Sequence, residues 1–383
     1  DWARRDPIAP ERLALALGWL GQIATERTPI FIGHSLGGGA EAALQAELGA
    51  TLAAGAPAAV ILRVGGPAAW RIEVRGTRFA VAGDVDALDL LEELLEPVTK
   101  REVVYSCAVQ ARDPTALPSA IIRLTKNQRL SMRLHDFYPI SPSWNLLGAD
   151  GRFRGVPPAA SNDPAHGLRK TRFHRALSHE DWRAEWRTVV SRADEIIAFA
   201  PSGATLLAQA YPEASAKTVV RPHTPRNLPD RIPPGGRSIG VLGGINLAKG
   251  GAVLERLARR TAHPISVIGE MDGRFHLAPP HSVHGSYDQK DIAALAKHYD
   301  VGLWLIPSIC PETFSFATHE ALSTGLPVAC FNLGAQAEAA CTAANGHILR
   351  SNPEDAPALA TELEALFAYA YSAAAPDIAA GLS

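Results

Sequence analysis

The strongest constraint on this chain is a rhythm that runs, stops and starts again. In the first half "TPIFIGHS", "AAVILRV", "EVVYSCA", "LSMRLHDFY", "DEIIAFAP" and "KTVVRPH" read as strands, and "RIEVRG" with "RFAVAG" as a hairpin. Between them "AEAALQAEL", "DALDLLEELLE", "HEDWRAEWRTVVSRA" and "SGATLLAQAY" carry helical periodicity. The Pro-rich "TPRNLPDRIPPGG" then interrupts, and "RSIGVLGG", "PISVIGE", "VGLWLIPS" and "PVACFNLG" resume the strands with helices between. Strands alternating with helices predict parallel sheets in an α/β fold. At 383 residues the chain exceeds one comfortable core. The expected division is residues 1–223, a linker at 224–236, a second domain at 237–365, and a terminal helix at 366–383 that crosses back to the first domain. Two doubly wound domains facing across a cleft would hold a ligand at the C-terminal ends of their strands.

Composition narrows the function classes. The formal charge of -2 gives no basic field for nucleic acid. No apolar run approaches the roughly 18 residues of a membrane span. The N-terminal "DWARRDPIAPERLALALGWL" reads as an amphipathic helix rather than a signal peptide, and a start at Asp1 without Met is what a piece of a longer protein would show. Cys107, Cys310, Cys330 and Cys341 have no C-x-x-C spacing, so buried thiols in a reducing cytoplasm are expected, with neither metal nor disulfide. The Pro/Gly/Ser-rich stretch at 139–163 is long enough to predict a functional or mobile loop.

Two local patterns carry chemistry. Gly33-His34-Ser35-Leu36-Gly37 fits the G-x-S-x-G elbow in which a serine acts as nucleophile. A hydrolase elbow normally follows several strands and an oxyanion-hole loop, and only a helix precedes this one. The same strand–glycine–helix geometry admits an anion, so the weight shifts from Ser35 to Gly37, Gly38 and Gly39. The second pattern is "PSICPETFSFATHEALSTGLPVACFNLGAQAE", Pro307 to Glu338. A strand ends at Pro307-Ser308, a loop carries Glu312, and a helix starting near Phe314 carries Glu320. Free N–H groups at such a helix start suit a diphosphate. Two carboxylates beside it suit sugar or ribose hydroxyls.

Glu312-x7-Glu320 followed by "ALSTGLPVAC" resembles the corresponding segment of retaining GT-B glycosyltransferases of the large family four type. The resemblance implies two Rossmann-like domains and a nucleotide-diphosphate sugar as substrate, with no cofactor and no metal. Glu312 would then contact the transferred sugar, and Glu320 the ribose. The amides of Thr313, Phe314, Ser315, Phe316 and Ala317 would hold the diphosphate. Lys249 falls at the family's K-G position beside the donor phosphates, but Gly243 stands where an arginine is common. "RLHDFYPISPSWNLLGADGRF" is similar to a loop that places His135 near the reacting centre; Ser141 and Arg154 occupy positions where cysteines often stand. "VIGE" (267–270) and "HGSYDQKDI" (284–292) occupy the nucleobase positions. Asp84-Val-Asp86 matches the D-x-D of metal-dependent GT-A enzymes, but Asp84 reads better as a helix N-cap. The basic stretches "RLTKNQRLSMRL" and "GLRKTRFHRALSH" suggest peripheral contact with a membrane or a lipid-linked acceptor. The implied activity is transfer to a glycan or lipid-linked acceptor with retention, in cytoplasmic synthesis of surface polysaccharide. A glycan-binding domain that has lost catalysis, and a Ser35 hydrolase, are the alternatives.

Overall fold

A computed structural model describes residues 10–34 and 37–380, with side chains to residue 368. The chain divides into two units. The first holds the described residues up to Ala149 together with Arg154–Arg221, the second Asp150–Phe153 with the described residues from Pro222 onward.

The first unit runs α1 (Pro10–Ile23), β1 (Thr28–His34), α2 (Gly38–Ala53), β2 (Ala58–Val64), β3 (Trp70–Gly76), β4 (Ala80–Val85), α3 (Leu88–Leu95), β5 (Arg101–Tyr105), α4 (Leu117–Leu124), β6 (Arg129–Arg133), α5 (His179–Arg192), β7 (Glu195–Ala198), α6 (Pro201–Ala210) and β8 (Thr218–Val220). Its eight-stranded sheet has the order β4-β3-β2-β1-β5-β6-β7-β8. The predicted hairpin β3–β4 caps one edge, with β3 antiparallel to both β2 and β4; the remaining pairs, from β2 through β8, are parallel. Phe31, Ile61 and Val104 face Leu44 and Leu48 of α2 in one core cluster. Asp84 is not an N-cap. It lies in β4 opposite Arg71, which donates to it at 3.0 Å, and α3 starts after Ala87. Continuous pairing with β3, from Ala80 to Val85, keeps the strand going past the acid.

The segment at 139–163 is not a loose loop in its first part. Carbonyls of three successive residues are claimed by side chains: Trp182 donates to Tyr138, Tyr211 to Pro139, and His179 contacts that of Ile140. Each is a buried acceptor satisfied by a ring that also fills the core. Three rings from α5 and the end of α6 thus fix the backbone following β6.

The second unit runs β9 (Ser238–Leu242), α7 (Gly251–Ala258), β10 (Ile265–Ile268), β11 (Ser282–Val283), α8 (Ile292–His298), β12 (Val301–Ile306), α9 (Phe316–Ser323), β13 (Val328–Phe331), α10 (Gly334–Thr342), β14 (Gly346–Leu349) and α11 (Ala356–Ala380). All its pairs are parallel, in the order β11-β10-β9-β12-β13-β14. This is the 3-2-1-4-5-6 order of a dinucleotide-type domain, with its reversal between β9 and β12. Leu303 and Leu305 of β12 face α7 and α11, while Trp304 and Ile306 face α8 and α9. Burial on both faces explains why "VGLWLI" is apolar throughout rather than alternating. The Pro-rich segment packs on this unit: Ile232 is buried and donates its N–H to Thr324, and Ser323 donates to the Pro229 carbonyl. α11 continues unbroken past residue 366, and Phe367 is still core.

Candidate functional site

Doubly wound topology puts ligands at the strand ends where the order reverses. In the second unit that place lies beyond Leu242 of β9 and Ile306 of β12, and the turns there are locked by close contacts. A Cβ on Gly250 would lie 2.1 Å from the Pro307 carbonyl oxygen, and one on Gly269 2.0 Å from that of Gly243. Ile309 donates its N–H to the Ala248 carbonyl at 2.9 Å. The turn carrying Lys249 is therefore pressed against the loop carrying Glu312.

Lys249 Nζ and Glu312 Oε2 form an ion pair at 2.5 Å, and Ser308 donates to Glu312 Oε1 at 2.6 Å. The carboxylate is nearly buried, with its side chain 8% exposed against 38% for the lysine. Its backbone is held as firmly. Glu312 N–H donates to Gln336 Oε1, Gln336 Nε2 donates to the Cys310 carbonyl, and Ala335 N–H donates to the Glu312 carbonyl.

Helix α9 starts at Phe316, two residues later than the sequence pattern suggests, because Ser315 is extended at φ -116°. Ser315 does not cap the helix with its side chain; its Oγ instead accepts from Thr318 Oγ at 2.7 Å. Phe314 belongs to an aromatic cluster. It stacks on His319 at 4.8 Å, and His223 stacks on Phe316 at 5.4 Å. Burial keeps both histidines neutral, pushing His223 down to about 4. Gly243 lies beside this helix start, its Cβ position 4.0 Å from Ala317. At φ +100° it sits where a side chain would be strained, so the arginine expected there has no ready place.

Glu320 is buried on the second turn of α9 and accepts from Gln289 Nε2 at 2.8 Å. Burial raises its pKa, opposed by that hydrogen bond. The strand ends proposed for the base meet here too: Ser286 donates to Glu270 at 2.6 Å. Lys249, Glu312, Thr313 to Ala317 and Glu320 thus share one end of one domain.

In the first unit the reversal falls between β1 and β5. His34 ends β1, and Ser35 lies outside the described residues. Gly37 and Gly38 have φ of +73° and +77° and open space around their Cβ positions. Glu41, in the first turn of α2, is clamped by Arg63: Nη2 donates to Oε1 at 2.8 Å and Nη1 to the other oxygen, while Nη1 also reaches the His34 carbonyl at 2.7 Å. His135 follows β6 and stacks on Phe199 at 4.5 Å. Its neighbour Asp136 is buried, accepting from Cys107 Sγ at 2.7 Å and from Tyr138 N–H at 2.9 Å, and burial pushes it up to about 6. A groove of 480 Å³ lined by Glu92, Arg101 and Arg123 lies at the other end of this sheet, away from these residues.

No family model and no curated protein matches the sequence. Solved structures do. Sucrose-phosphate synthase from Thermosynechococcus elongatus is 14% identical over 90% of this chain and 91% of its own, with a TM-score of 0.58. HepE of Anabaena in complex with UDP is 16% identical over 91% and 95%, with a TM-score of 0.53. The catalytic domain of starch synthase IV from Arabidopsis thaliana, bound to ADP and acarbose, is 11% identical over 90% and 92%, with a TM-score of 0.51. The fold is GT-B. Both of its Rossmann-like domains are present; Lys249 and Glu312 follow the two strands at the switch point of the second sheet, whereas His135 follows β6, away from the β1–β5 reversal of the first. Sequence reasoning missed Arg63, Ser308, Gln289 and Gln336. Arg63 had a signal, a lone cation in the apolar "AAVILRV"; the other three are ordinary polar residues that only the fold brings to the acids. Among the described residues no group of three metal-ligating side chains converges, and no helix is long and apolar enough to cross a membrane.

Proposed function

We propose that this protein is a retaining, metal-independent glycosyltransferase that takes a nucleotide-diphosphate sugar in its second unit and a glycan or lipid-linked acceptor in its first. The observation that carries the reading is the set Lys249, Glu312, Ser308 and Glu320 around the start of α9, at the switch point of a Rossmann-like sheet. The likeness to glycosyltransferase folds, one of them solved with UDP-glucose, supports it. In this reading the amides from Thr313 to Ala317 and Lys249 stabilise charge that develops on the departing diphosphate, Glu312 holds the sugar, and Glu320 the ribose. The same reading assigns Gly37 and Gly38 to donor binding and His135 to catalysis. The setting is surface polysaccharide synthesis at the cytoplasmic side of a membrane, with peripheral contact through the basic faces.

A thermal-shift panel of UDP, GDP, dTDP and their sugars tests the donor site, with Glu312→Ala as control. Stabilisation by one nucleotide family supports the reading, and no shift with any of them sinks it. The anomeric configuration of the product, read by NMR, decides retention. Labelling of Ser35 by a fluorophosphonate probe would favour a hydrolase instead.

A further inference from the structure

Lys249 and Glu312 are unequal partners. Glu312 is immobile: its N–H and carbonyl are tied to α10, and a Cβ on Gly334 would stand 2.5 Å from its nitrogen. Its buried carboxylate has the Ser308 hydroxyl on one oxygen and the lysine on the other. Lys249 is the mobile partner, anchored by its N–H to Asn246 Oδ1, with a flexible stem and an ammonium exposed enough to swing. Gly243 brings no charge to the start of α9, and His223 and His319 there are neutral. Lys249, held by Glu312, is the cation that the donor-site reading assigns to a diphosphate at that helix start.

We infer that Glu312 competes with the diphosphate for Lys249, and that this competition makes the site favour a nucleotide sugar over the free nucleoside diphosphate. The inference rests on the donor-site reading above. When Lys249 turns to the phosphates, Glu312 loses its ion pair, which is costly for a buried carboxylate. Hydroxyls of a bound sugar replace the lost donor. A nucleoside diphosphate has only its ribose hydroxyls, which go to Glu320, so Lys249 is pulled back to Glu312 and the diphosphate is released. The product is thus expelled by the same acid that holds the substrate.

Calorimetric titration of the full chain tests this with two probe pairs, UDP with UDP-glucose and GDP with GDP-mannose, using the pair that stabilises the wild type. Glu312→Gln keeps the shape and the Ser308 bond but removes the charge; it should bind the nucleoside diphosphate roughly tenfold more tightly and lose most of the preference for the sugar form. Ser308→Ala should do the opposite, weakening the nucleoside diphosphate roughly threefold, because Glu312 then depends more on Lys249. In a Lys249→Met background Glu312→Gln should give no gain; a gain that persists there means simple repulsion and overturns the competition. Wild-type binding with an unchanged or weaker Glu312→Gln overturns the inference alone. If neither pair binds the wild type, the donor reading falls and takes the inference with it.

Discussion

Two acids follow parallel strands, one in each unit, and their surroundings differ. Asp136, beyond β6, accepts from a thiol and a backbone N–H, and burial pushes it up to about 6. Glu312, beyond β12, is buried to a similar degree but holds an ammonium and a hydroxyl. The first acid shapes a loop at a cost in stability near neutral pH. The second keeps a cation in store beside a helix start. Two acids buried alike thus differ in what they hold: one a thiol and an amide, the other a half-exposed ammonium.

The largest effect that would sharpen this contrast is on turnover. On the proposed role of Lys249 at the leaving group, Lys249→Met should lower kcat by roughly 10²–10³. Glu312→Gln should also lower transfer while tightening nucleoside diphosphate binding. A Lys249→Met variant with near-normal kcat would place the leaving-group charge elsewhere. Next comes Arg63→Met, which leaves the Glu41 carboxylate without its clamp at the start of α2. It should cost about 3 kcal/mol in denaturant unfolding, and a change near zero would mean that water solvates the Glu41 carboxylate as well as the guanidinium does.

Asp136→Asn should act the other way. The folded-state pKa lies above the ordinary 3.8, so the unfolded chain loses its proton first as pH rises, and stability falls between about pH 4 and 6. The amide removes that loss and should stabilise the first unit at pH 8 by roughly 1–3 kcal/mol, with no gain at pH 3.5. Destabilisation at pH 8 would show that the charged form is needed by Cys107 or Tyr138.

The smallest effect is a divergence between the units on acidification. His223 titrates near 4 in the folded state and near 6.5 when unfolded, so the second unit loses stability as pH falls through that window. Asp136 protonates in the fold over the same range and steadies the first unit. Hydrogen exchange at pH 7 and pH 4.5 should show protection falling in β9 and β12 relative to β5 and β6. His223→Gln should flatten the change in the second unit, and parallel behaviour of the two sheets would remove the contrast.

Much of this was legible in the residues. Short apolar runs separated by amphipathic helices allow little besides parallel sheets covered on both faces, because only such strands are apolar throughout. The spacing of Glu312 and Glu320 and the punctuation around them placed a loop–helix junction with acids on both sides. The fit of "GHSLG" to a nucleophile elbow was equally visible, but a local pattern cannot say what faces it. Tertiary structure decided the rest. It put Asp84 into a strand, docked the Pro-rich segment on the second unit, and tied the chain after His135 to the rings of Trp182, His179 and Tyr211. Above all it set Lys249 against Glu312 across 63 positions of sequence. Propensity and period act over a few residues and can be read along the chain. The partner of a charge is fixed by strand order and close glycine packing, which exist only once the sheet has formed.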